Sequence, residues 1–259
     1  MKYQEIREQF IWNVRLDFDP VGIRFVYDDN EFPQLPVTHA SKAKLTYCQY
    51  LTAVRQKRLA LTLKPEKLLC PNAALVFGFR EIDEKLDTKQ HLKYLMDESL
   101  ALEAARKKVR LKEGCKGIYM APLDFFDKTP VPPDMVFMVC TPYQAYHLLN
   151  DYMGAMRKPN LTFRHTPNSA VCSGSVWAFT GKTANMTTIC AGSKTSGKTE
   201  MGYVNLFIPG DHIIAMARQQ KKRCGLGEGA SLLGEGSEAW PGLDVCKGCP
   251  MFKFEKLEP

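Results

Sequence analysis

The chain has no apolar run of 18 or more residues, so no segment reads as a membrane-spanning helix. Its start, Met1 to Phe10, holds neither an apolar stretch nor a small-residue cleavage site, which argues against a secretory leader. The basic clusters Arg106-Lys107-Lys108 (with Arg110 and Lys112) and Lys221-Lys222-Arg223 contain no aromatic residue. A groove for single-stranded nucleic acid interleaves the two. The clusters therefore read as solvated helix faces, and nucleic acid is not an expected partner. Paired carboxylates and a serine elbow are missing. The histidines (His39, His91, His147, His165, His212) keep no ligand spacing, and only His165, near Cys172, draws interest. These absences leave a cytoplasmic protein, off the membrane, with its thiols reduced.

Cysteine is what the chain has in quantity, with nine in 259 residues. Hydrophobic residues make up 45% and charged residues 24%, which allows a core large enough to need no disulfide. The cysteines thus call for another explanation. Four of them form two similar pairs, Cys48 with Cys70 and Cys172 with Cys190. In each pair a polar break and a strand-like run lead to the second cysteine, in a Cys70-Pro71 or Cys190-Ala191-Gly192 context. Proline or glycine beside a ligand fixes the loop and lets backbone approach a bound group.

Apolar spacing predicts helices over 3–16 and 45–56, two between 84 and 110 broken at Asp97-Glu98-Ser99, and others over 141–156, over 173–179 and from Asp211 onward. Thr141-Pro142 is a strong helix start. Pro65-Glu66-Lys67 reads as a single helical turn and 30–40 as a loop. Strands are predicted over 21–27, 59–63, 117–121, 135–140, 161–164, 186–190 and 203–208. Alternating strands and helices give an α/β or α+β fold. The echo of one half in the other suggests a single pseudo-symmetric domain over 1–223, with halves 1–115 and 116–223. A glycine-rich linker then carries a tail over 224–259, where Cys246-x-x-Cys249-Pro250 resembles the end of a ferredoxin ligand run.

Four thiolates suit zinc or an iron–sulfur cluster. They also suit simple packing, because a free cysteine is a common core residue, and spacing leaves these readings open. Cys115 and Cys140 read as core. In the tail, Cys224, Cys246 and Cys249 are candidate ligands of a second metal centre, or a labile dithiol. Gly192 to Thr199 matches the phosphate-loop pattern letter for letter. That pattern needs a helix opening at the lysine, whereas Glu200 onward reads as a strand that meets Pro209. The better reading is a glycine-rich basic loop beside Cys190, in which Gly192, Ser193, Lys194 and Lys198 hold a small anion.

At Tyr47-Cys48-Gln49, Cys70-Pro71, Ala121-Pro122-Leu123, Pro142-x-Gln144-Ala145, Cys172 and Cys190-Ala-Gly-Ser, the chain resembles the family called domain of unknown function 169, found in archaea and anaerobic bacteria. The resemblance spans about 3–218. It departs from the family pattern at Lys194, where arginine is usual, and at Asn72, where glycine is usual. It implies that Cys48, Cys70, Cys172 and Cys190 belong together and that anaerobic metabolism is the setting. The expectation is an iron–sulfur protein, holding a [4Fe-4S] cluster on these four cysteines. It would act in electron transfer or on a small anionic metabolite, with a redox partner protein or a second copy of itself. The alternatives are a metal-free binding module and a thiol redox protein.

Overall fold

The structure, a computed structural model, describes residues 1–39 and 43–224. The readings made for the linker, Cys246 and Cys249 lie outside the described residues. Six strands form one sheet: β1 (Val21–Val26), β2 (Leu61–Leu63), β3 (Gly117–Pro122), β4 (Met135–Cys140), β5 (Asn185–Thr187) and β6 (Val204–Pro209). Their order is β2-β3-β1-β4-β6-β5, and every neighbouring pair is antiparallel. Of the two fold classes expected, α+β is the one formed.

Helices cover both faces of the sheet, which is why β3 and β4 are apolar along their whole length. Side chains alternate between the faces. Met135, Phe137 and Val139 join Ile23, Phe25 and Met120 on one side. That side packs on α2 (Tyr47–Lys57), α3 (Pro71–Val76) and α7 (Ala170–Gly181). Val136, Met138 and Cys140 face the other way, with Leu206 and Ile208. They meet α1 (Tyr3–Val14), α6 (Pro142–Met156) and α9 (Ile213–Cys224). A helical hairpin, α4 (Glu84–Leu95) with α5 (Glu98–Arg106), completes the first side. Asp83 and Asp97 start its two helices by accepting from the amides of Leu86 and Leu100.

The same chemistry starts two of the longer helices. Thr46 with Gln49, and Thr141 with Gln144, form reciprocal capping boxes. The short helix α8 (Ala191–Thr195) follows Cys190.

Several predicted elements differ. No strand forms over 161–164. Instead the Asn185 side chain accepts from the Arg164 amide (2.8 Å) and donates to its carbonyl (3.2 Å), replacing a strand partner with one amide group. β5 stops at Thr187 rather than 190, because the chain turns to begin α8. The 30–40 loop contains a 3-10 turn, Asp29–Gln34, started by the Asp28 carboxylate accepting from the Asn30 amide.

Each three-strand half of the sheet has the same order. The first strand is central, the second lies at the edge, and the third runs between them. In each half, a helix bearing a cysteine in its first turn precedes the short edge strand, and a cysteine-capped helix follows it.

Candidate functional site

Cys48, Cys70, Cys172 and Cys190 all line one cavity of about 130 Å³. Four helices begin at it. Cys48 is the second residue of α2 and Cys172 the third of α7, while Cys70 and Cys190 are the residues that cap α3 and α8. Helix starts carry unpaired amides and the positive end of the helix dipole, so they favour negative charge. α2 and α7, at 11 and 12 residues, carry most of that effect.

Two glycines lie next to the thiols. Gly192 leaves open the point where a side chain would start, 4.0 Å from the sulfurs of both Cys48 and Cys190. A Cβ on Gly197 would stand 2.6 Å from the Ser193 carbonyl oxygen and 3.1 Å from the Cys48 Cβ, so only glycine lets this loop lie against α2.

Among the described residues, no three His, Cys, Asp or Glu side chains stand close enough to coordinate one metal ion. The four thiols surround a space instead of converging on a point. A single zinc ion, with bonds of about 2.3 Å to sulfur, is not served by that spread. Four cysteines are the donor set that an iron–sulfur cluster takes, one thiolate to each iron. Burial pushes the Cys48 and Cys172 thiols well up, and the neighbouring cysteines push them further. Lys108 pulls Cys172 back down. The Cys172 thiol donates to the Ser169 carbonyl (3.3 Å), as a protonated thiol does.

Two buried cations border the thiols. Lys108, 7% exposed, donates to Asn168 Oδ1 (2.7 Å), Ser169 Oγ (3.1 Å) and Asn72 Oδ1 (3.3 Å), all on the cavity wall. Burial lowers its pKa, while Cys172, Asp87 and Cys70 act to raise it. Arg55, 4% exposed, donates to the Gly197 carbonyl and Thr199 Oγ1, each at 3.1 Å. Its guanidinium lies 4.3 Å from the centre of the Phe18 ring. Arg55 Nη1 has no hydrogen-bond partner among the described residues, and burial lowers the pKa to about 10. Neither cation is ion-paired with a carboxylate among the described residues. Asp87, the acid nearest Lys108 in effect, is engaged by Arg80.

The anion loop expected over 192–198 is mostly absent from the cavity. α8 opens at Ala191, ahead of the lysines, and Lys198 adopts a left-handed φ of 50°. This is not the phosphate-loop geometry, which needs a helix beginning at the lysine. Ser193 turns inward to Thr199 Oγ1 (3.3 Å), and exposed Lys194 reaches the Met201 sulfur (3.3 Å). Gly192 alone of the four lines the cavity. Cys224 lies at the end of α9, on the opposite face of the sheet from the four thiols, in a surface recess with Met1, Glu8 and Trp12. His165 is exposed and does not line the cavity. Cys115 and Cys140 are buried, as core cysteines should be.

Sequence reasoning missed Lys108, Arg55 and Tyr94, the half-exposed ring at the cavity mouth. Arg55 carried a signal: it falls four residues after Leu51 and one after Val54, on the apolar stripe of α2.

The fold and site define a class: an α+β protein with a thiol-lined cavity at the meeting of four helix starts. The chain belongs to the uncharacterised ArCR family, domain of unknown function 169, whose model matches residues 11–219. No curated protein and no solved structure matches it.

Proposed function

We propose that Cys48, Cys70, Cys172 and Cys190 hold an iron–sulfur cluster, and that the protein serves electron transfer in anaerobic metabolism, in the cytoplasm. One observation carries this reading. The four thiols share a cavity, Lys108 bonds to three residues of its wall, and Arg55 lies in a neighbouring recess beside Cys48; among the described residues neither cation is paired with a carboxylate. A buried cation without a counter-ion is costly. Four thiolates around iron supply the missing negative charge, and helix starts and basic neighbours stabilise thiolates. When bound, the cluster supplies a one-electron redox couple. The chain's own residues position it: the capping box at Thr46 sets the start of α2, and Gly197 lets the Cys190 segment approach Cys48. The matching strand order of the sheet halves supports the view that one unit was used twice, each copy giving two ligands.

The test is anoxic purification, analysis for iron and sulfide, and electron paramagnetic resonance after dithionite. Iron near four atoms per chain with a reduced-state signal is expected. A colourless, iron-free protein from anoxic cells would sink the reading. It would favour a second one, a metal-free cleft with protonated thiols, to which the raised thiols and the Cys172–Ser169 hydrogen bond point.

A further inference from the structure

Buried charges are screened far less than surface ones. Most of the chain's partly buried arginines are neutralised in place. Arg24 meets Glu31 and Asp134, Arg58 meets Asp19 and Asp124, and Arg80 meets Asp87. Their fields largely cancel at a distance. Lys108 and Arg55 differ, since among the described residues their hydrogen bonds go to neutral oxygens. They also stand by different thiols. Lys108 acts on Cys172 and Cys70. Arg55 lies beside Cys48, in a small recess lined also by Thr52, Ser193 and Thr199. Arg55 is held still: Thr52 Oγ1 donates to the same Gly197 carbonyl (2.6 Å) that receives Arg55.

We propose that Arg55 and Lys108 set the reduction potential of the centre at the four cysteines, holding it higher than neutral residues there would. This rests on the cluster reading above. Taking up one electron from an external donor makes the centre more negative, and no bond is made or broken. A fixed positive charge nearby favours that reduced form, and the potential of a cluster follows the charge around it. The two residues act through the field and are positioning residues, not catalytic ones.

The experiment is a mediated redox titration of anoxically loaded protein, with iron content measured on each sample. Lys108→Met and Arg55→Met are each expected to shift the reduced-to-oxidised ratio at fixed poise at least tenfold toward oxidised. That is about 59 mV downward for a one-electron couple. Lys108→Arg and Arg55→Lys, which keep the charge, should stay near wild type. Lys108→Gln and Arg55→Gln serve if the methionine variants fold poorly. Neutral variants that carry full iron at the wild-type potential would overturn the proposal, as would charge-keeping variants that shift equally. If the glutamine variants also take up no iron while Lys108→Arg does, the charge is needed to hold the centre, not to tune it, and the proposal falls. Wild-type protein without iron defeats the cluster reading itself, which the iron assay shows separately.

Discussion

On the face covered by α1, α6 and α9, Cys140 is fully buried among Val136, Leu206 and Ala145, and burial alone pushes its thiol up to about 12. Nearby, Arg223 meets the buried Asp151 through two hydrogen bonds of 2.6 Å, and Gln220 adds a third to the same carboxylate. On the face covered by α2, α3 and α7, four cysteines line one cavity, and Lys108 and Arg55 meet no acid among the described residues. A buried cysteine alone is therefore weak testimony to function. The buried cation left without an acid is the stronger sign, because packing gives no reason to keep one.

The comparison breaks most sharply on metal. Cys70→Ser and Cys190→Ser are expected to lose nearly all bound iron while remaining folded by circular dichroism. Cys140→Ala should keep its iron and lose about 1 kcal/mol of stability, the order expected for a small core deletion. Iron loss from the Cys140 variant, or full retention in the other two, would erase the distinction between the faces.

Charge gives a smaller contrast, read by urea unfolding of metal-free protein. Asp151→Ala strands Arg223 and should cost about 3 kcal/mol. Lys108→Met removes a cation that has no acid partner among the described residues and should stay within about 1 kcal/mol of wild type. Equal losses in both would show that Lys108 is paired after all.

The smallest effect concerns pH. His91 on α4 is fully buried, and neither ring nitrogen is hydrogen-bonded among the described residues. Burial, with Lys108 adding, holds its pKa down at about 4. Between the ordinary value near 6.5 and about 4, the unfolded chain binds a proton that the folded chain refuses. Stability attributable to His91 is thus complete above pH 6.5 and lost as pH falls toward 4, on the order of 2 kcal/mol. His91→Gln should flatten the stability profile in that window more than His147→Gln does on the opposite face. A reversed ranking would remove Lys108 as a source of the difference.

Much of the architecture could be read in the chain because local and global signals agree. The apolar run of β4 and the Thr-x-x-Gln starts of α2 and α6 are cases of this. The gathering of four cysteines was legible in their repeated setting. Lys108 was not. It follows Arg106 and Lys107 in what reads as a surface cluster, yet α5 ends at Arg106, and the turn sends Lys107 out to Glu103 and Lys108 inward. The phosphate-loop match misled for a related reason, since a pattern of letters does not say where a helix begins. Nor could sequence foresee Asn185 standing in for a strand, because that needs its partner at Arg164 in place.

Each of the four cysteines comes from a different helix, and the stretch from Cys48 to Cys190 includes four of the six strands, β2, β3, β4 and β5. Contacts so distant along the chain require long loops to close, which carries an entropic cost and slows folding. The cavity therefore depends on the whole fold and on no single segment of it. Whatever binds there meets donors drawn from four separate helices, so its binding and the completion of the fold are coupled.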